Sequence, residues 1–278
     1  MKNSFLSRLL RDRSGLAGLI LITIYLIAAL AGAFALTPYP PNEQHVQDLM
    51  QPPSAQYMMG TDIFGRDVLS RVIRGATNSL KVGLLSVAIS SIIGIALGSL
   101  AGYVGGQFDN AVMRVMDIFF AFPAILLALV IVAALGPGMR NTILAISVVY
   151  MPIFARVARG PTLTVKAKEY VLAARSIGAR RSAILRRHVL PNITAPLIVQ
   201  VSLALSWAIL TEAGLSFLGL GAQPPDPSWG NMLSESRTLL ELAPWLAIFP
   251  GLAIMFAVLG FNLLGDGLRD VLDPRLRQ

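Results

Sequence analysis

The chain has 278 residues, of which 55% are hydrophobic and only 14% charged, and it carries a formal charge of +8. A soluble domain would hold roughly 25% charged residues, so this composition excludes an ordinary soluble enzyme and favours a bilayer-embedded bundle. It contains no cysteine and two histidines, His45 and His188, which removes disulfide frameworks, iron–sulfur clusters and cysteine zinc sites.

A membrane-crossing helix needs about 20 apolar residues, and a charge at its centre costs roughly 2.5–3.5 kcal/mol. Stretches without Asp, Glu, Lys or Arg predict six spans: Leu16–Leu36, Val82–Val104, Ile118–Leu135, Asn141–Ala155, Pro191–Thr211 and Leu242–Leu264. The fourth is short; it is expected to begin near Gly138 and to reach Arg156 by snorkelling. The basic start and Ala33-Phe34-Ala35 imitate a signal peptide, but the first apolar run is too long for a signal core. It reads as an uncleaved first span. With the N-terminus inside, seventeen Lys and Arg fall on the inner side and six outside, as the positive-inside rule requires. The inner set includes Lys2, Arg114, Arg156, Arg159, Lys166, Lys168, Arg269, Arg275 and Arg277.

The expected organisation divides at residue 78. An N-terminal tail, the first span and an external segment fill 1–78; a core of five spans fills 79–278. Pro38, Pro40, Pro41, Pro52 and Pro53 disfavour helix in the external segment. From Asp67 on, Val68, Leu69, Val72 and Ile73 alternate with Arg66, Arg71 and Arg74, which predicts an amphipathic helix lying at the outer interface. His45 with Met50, Met58 and Met59 is a poor metal ligand set and reads as surface packing.

In the second span Gly94, Gly98 and Gly102 recur every four residues and predict a strip for close helix packing. Asp117, at the inner end of span three, and Glu212, at the outer end of span five, are candidates for the pathway because ionisable groups in a membrane are functional by default. Both are expected near hydrated interfaces, where an anchoring role competes with substrate contact.

The inner loop 160–190 carries the sharpest signal. Pro161 precedes a helical run to Ile177, in which Tyr170, Leu172, Ala173 and Ile177 share an apolar face and Lys166, Lys168, Glu169 and Arg175 supply charge. Gly178 stops that helix, a second short basic helix follows to Val189, and Pro191 opens span five. A solvated loop has no need of an apolar face, so a docking surface for a cytosolic partner is expected. Outside, Glu212–Glu241 alternates Gly214, Gly219 and Gly221 with Leu215, Phe217, Leu218 and Leu220, then Pro224, Pro225, Pro227 and Trp229. It predicts a re-entrant segment packed in protein or a surface for an external partner.

No phosphate-binding G-x-x-x-x-G-K-[ST] loop, H-E-x-x-H or G-x-S-x-G element occurs. No catalytic residue and no metal site is expected, and no cofactor is expected on this chain.

Glu169-Tyr-Val-Leu-Ala-Ala-Arg-Ser-Ile-Gly178, with His188-Val-Leu-Pro191 at fixed distance, resembles the EAA motif of ABC-importer permeases. Ala173, Ala174, Gly178, Leu190 and Pro191 match in register; Leu172 stands where the motif has Glu, and His188 where it has Ile. The stretches 60–71, 215–230 and 261–276 are similar to the dipeptide/oligopeptide/nickel branch, and their order resembles its C-type subunit. The resemblance implies an all-α membrane protein with the type I ABC-importer permease fold. It also implies a second, B-type permease, two ATPase subunits that carry ATP and Mg, and an extracytoplasmic substrate-binding protein. The loop 160–190 would be the coupling helix, with Glu169, Tyr170, Leu172, Ala173, Ala174, Arg175, Gly178, Leu190 and Pro191 at the ATPase contact. The expected cargo is di- or oligopeptides. The alternatives are nickel chelates, glutathione or another small solute on the same architecture, and more distantly a stand-alone secondary transporter. The expected location is the bacterial inner membrane, with both termini cytoplasmic and no nucleic acid bound.

Overall fold

A computed structural model describes residues 5–272; Lys2, Arg275 and Arg277 of the inner basic set, and part of the 261–276 stretch, lie outside the described residues. The described residues form helices and connecting loops. After a short helix α1 (Phe5–Leu9), the long helix α2 (Arg13–Ala33) begins where the Asp12 carboxylate accepts from the Gly15 backbone N–H at 2.6 Å. α3 (Val68–Val104) begins in the same way, with Asp67 accepting from the Ser70 N–H at 2.8 Å. Such caps satisfy amides that a first turn leaves without partners.

α3 corrects one expectation about its start: Val68 opens a single 37-residue helix about 55 Å long, so the stretch expected as a helix feeding the second span is the first part of that span's own helix. Its first turns bury Arg71, which is 3% exposed, because loop residues before the helix cover them; Arg71 donates to the Pro41 carbonyl and to Asn42 Oδ1.

The third span is also different from expectation. α4 (Gly106–Phe120) and α5 (Ala124–Leu135) meet at 88° and together make one bent candidate span. Pro123 stands at the bend and disfavours helix in the residue before it, and α5 alone reaches only about 18 Å. α6 (Met139–Lys166) starts after Gly138 as expected but continues through Pro152 and Pro161 for 28 residues. The break after it falls at Ala167–Lys168, where α7 (Glu169–Ser176) begins. α8 (Arg181–Ile184) then widens into a π turn, Leu185–Val189, and a tight turn, Leu190–Asn192. Span five, α9 (Thr194–Phe217), therefore starts three residues later than Pro191. α10 (Trp229–Ser236) and α11 (Trp245–Leu272) complete the chain. Among the described residues, five single helices and the bent pair are long and apolar enough to cross a membrane.

Small residues and hydroxyls join these helices. Lipid tails are as apolar as Leu, so helix association in a bilayer relies on close packing and hydrogen bonds. Gly94, Gly98 and Gly102 all face α6: a Cβ at Gly98 would overlap the Ala155 carbonyl, and one at Gly94 would lie 2.6 Å from the Phe154 Cβ. Ser86 donates to the Ile143 carbonyl at 3.2 Å on the same seam. α9 meets α11 through Ser202, which donates to the Phe261 carbonyl at 2.9 Å. α2 lies against α3, where Thr77 donates to the Ala29 carbonyl at 2.7 Å.

Candidate functional site

The elbow between α6 and α9 is built on its own small core. Ala158 and Val165 of α6, Val171 of α7, Ile184 and Val189 after it, and Ile193 and Leu197 entering α9 are all buried together. Val171 anchors α7. The opposite side of that helix stays bare, with Tyr170 at 45% and Ile177 at 85% exposure and Ala173 exposed between them. Tyr170, Ala173 and Ile177 fall at i, i+3 and i+7, one helical face. Leu172 is as exposed, at 49%, but points elsewhere: it is turned about 100° from Ala173 and borders a cleft against the end of α3.

Gly178 ends α7 at φ +80°. Its N–H donates to the Arg175 carbonyl at 3.1 Å, and the Ala179 N–H donates to the Ala174 carbonyl at 3.1 Å. This pair of bonds is the Schellman closure, which needs a left-handed residue that glycine supplies without steric cost. Ala174 and Ala179 pack on the elbow core beneath it. Glu169 lies in the first turn and Arg175 in the last, each favourable to the helix dipole. Leu190 packs against the same core, and Pro191 is exposed in the turn before α9. The outcome is a short rigid helix held at both ends, presenting tyrosine, alanine and isoleucine outward.

Behind the elbow, Arg159 grips Asp109 with two bonds of 2.6 and 2.7 Å. Lys166 Nζ donates to the Gly102 carbonyl at 2.6 Å. Together they lock the end of α3, the start of α4 and the end of α6.

Asp117 and Glu212 are not brought together. Asp117 stands on α4, paired with Arg156 at 2.5 Å, with side chains 59% and 48% exposed; such an open pair is worth ~0–1 kcal/mol. Arg156 also lies over the Phe120 ring at 3.9 Å. Glu212 corrects the expectation of a hydrated interfacial group, since it is 1% exposed. Ser79 donates to its Oε2 at 2.8 Å and Ser216 to its Oε1 at 2.7 Å. The sequence did carry a hint, because Ser216 follows Glu212 by one helical turn.

At the other end of the bundle, the loop before α3, the start of α3 and α10 form one packed layer that sequence reasoning missed. Asp62 accepts from Arg66 Nε at 2.6 Å and from the backbone N–H of Phe64 and Arg66. Arg71 Nε lies 3.6 Å from the same carboxylate, and Arg66 reaches Glu235 of α10 at 3.3 Å. Trp229 is 2% exposed and donates its indole N–H to the Val72 carbonyl at 2.9 Å, so the segment after α9 folds back into protein. Tyr57 donates to Asp48 at 2.9 Å; desolvation and this carboxylate push its phenol up to about 12. His45 packs its ring against the touching pair Tyr39 and Tyr57.

Residues 94–278 match the model of a family described as binding-protein-dependent transport system inner membrane component. Residues 3–53 match the N-terminal TM domain of oligopeptide transport permease C. The dipeptide transport system permease protein DppC of Alkalihalophilus pseudofirmus is 45% identical over 270 residues, 97% of this chain and 88% of that one. The di/tripeptide transport system permease protein DppC of Pseudomonas aeruginosa is 47% identical, covering 96% and 89%. The glutathione transport system permease protein GsiD of Pectobacterium atrosepticum is 46% identical, covering 98% and 91%. Among solved structures, an inward-facing form of the MetNI methionine ABC transporter superposes with a TM-score of 0.61 at 18% identity, over 73% of this chain and 96% of that one. That likeness speaks to the fold alone.

Proposed function

The chain belongs to the family of binding-protein-dependent transport system inner membrane components, and from that premise we propose that it is the C-type permease subunit of an ATP-driven importer of di- and oligopeptides. The elbow is the feature that supports this reading most. A seated helix with a bare apolar face is of no use to a protein working alone; it is what a motor outside the membrane can push.

In this reading the family supplies the other parts in general terms: a second permease, an ATPase and an extracytoplasmic binding protein. Two ATPase subunits hold ATP and Mg, both termini face the cytoplasm, and Tyr170, Ala173 and Ile177 meet the ATPase. Residues 79–278 form the permease core, and 1–78 add a helix and an external cover. When the ATPase pair closes, force enters through α7 and reaches α6 and α9 through the buried core at Val171, Ile184 and Val189. Stiffness matters here, because a helix free to slide would absorb the stroke.

Dipeptide is the favoured cargo, as two of the three relatives above are named for it. Glutathione, itself a small peptide, stands second because a relative named for it is equally similar. The deciding assay is ATP-dependent uptake into vesicles holding the complete importer and its binding protein. Labelled dipeptide is expected to accumulate and glutathione not to; the reverse result reassigns the cargo. Accumulation of dipeptide without ATP or partner subunits removes the importer reading altogether.

A further inference from the structure

A cleft opens on the α3 side of the elbow, on a flank of α7 away from Tyr170, Ala173 and Ile177. It holds about 280 Å³, and Tyr103, Val104, Lys166, Leu172, Arg175 and Arg181 are among its lining residues. Three cations from three separate elements thus converge on one space. Lys166 is bonded to a backbone carbonyl, and among the described residues Arg175 and Arg181 have no carboxylate partner. Asp109, on the neighbouring helix, is already clamped by Arg159. Like charges facing one cavity repel unless an anion lies between them.

The cleft is also the foot of an apolar stripe. Ile93, Leu100 and Val104 on α3 are 43%, 41% and 50% exposed. They fall at i, i+7 and i+11, one face of the helix. Val104 belongs both to the stripe and to the cleft lining. From Ile93 to Val104 the stripe runs about 16 Å, close to the ~15 Å of one leaflet's hydrocarbon.

We infer that this cleft binds the headgroup of an anionic phospholipid of the inner leaflet, with an acyl chain lying along Ile93, Leu100 and Val104. A free phosphate or an acidic protein segment would answer the cations alone and would have no link to the stripe that starts at the cleft's edge with Val104. The lipid satisfies both, and basic pockets on the cytoplasmic side of membrane helices suit such headgroups. The bound lipid ties α7 to the end of α3 on the flank away from Tyr170 and Ile177, and so braces the elbow. The inference rests on the cytoplasmic placement of the elbow, which side-specific labelling tests by itself.

The test uses the complete importer in nanodiscs of equal parts phosphatidylcholine and phosphatidylglycerol, with retained lipid counted by native mass spectrometry. The wild type is expected to keep phosphatidylglycerol several-fold over phosphatidylcholine. Arg181→Gln, which removes a headgroup charge, and Val104→Trp, which blocks the stripe at its foot, are each expected to bring that ratio to parity with the ATPase still co-purifying. Parity in the wild type overturns the proposal. So does loss of the ATPase in Arg181→Gln with phosphatidylglycerol retained, which would assign the cleft to an acidic protein segment. Displacement of the lipid by soluble glycerophosphate at equal concentration also overturns it, since the stripe would then contribute nothing. A wild-type preparation that never holds an ATPase refutes the permease reading instead, whatever the lipid count.

Discussion

Ser79 of α3 donates its hydroxyl to Glu212 of α9 at 2.8 Å, across 133 positions of sequence. Ser216 supplies the second bond, and the carboxyl is shut off from solvent. Through these bonds the Glu212 carboxyl ties α3 to α9.

Replacing Glu212 by Leu strands two buried hydroxyls, and each unsatisfied group costs about 1–3 kcal/mol. The thermal midpoint of the solubilised protein is expected to fall clearly. Glu212→Gln keeps one acceptor oxygen and is expected to fall between wild type and Leu. Equal midpoints for all three would remove the joint.

Gly98 leaves no room for a side chain beside the Ala155 carbonyl. Gly98→Val must push α3 from α6, so insertion is expected to persist while folded yield drops. Gly160, which has open space around it, is the control: Gly160→Ala removes the helix cost of glycine, roughly 0.5–1 kcal/mol, and is expected to be neutral or stabilising. Size-exclusion profiles of the two variants check the contrast.

Gly178→Val forces a β-branched residue into a left-handed conformation, at a cost of at least about 1–2 kcal/mol. The closure at Arg175 and Ala174 opens, and α7 loses its fixed end. Uptake is expected to fall while ATP hydrolysis continues, and Gly178→Asn is expected to retain more transport because Asn tolerates this conformation. Unchanged uptake in the Val variant would show that the stop does not transmit force.

Most of the fold was legible because the bilayer imposes a length: an uncharged apolar run as long as Leu16–Leu36 matches the thickness of the hydrocarbon core and little else. The elbow was legible because Gly178 and the change from apolar to basic sequence mark its limits. The bend at Pro123 was not, since Ile118–Leu135 is apolar throughout and hydropathy does not register direction. The buried state of Glu212 was hidden for a similar reason: position along a span gives depth, whereas Ser79 comes from another helix. Likewise the apolar face of α7 was placed on the right helix but with Leu172 on the wrong side, because Val171, not the more prominent Tyr170, anchors it. The Asp62, Arg66, Arg71 and Glu235 network required α10 to fold back, and no local pattern announces that.

In the assembled importer α7 is expected to touch the ATPase. The sequence has no cysteine, so Ala173→Cys and Ile177→Cys each create a single thiol on the bare face. In the assembled importer a short thiol crosslinker is expected to join either position to an ATPase subunit, with efficiency that changes on adding ATP. Crosslinks to the external binding protein instead, or labelling of these thiols by an impermeant reagent from outside intact cells, would contradict the account.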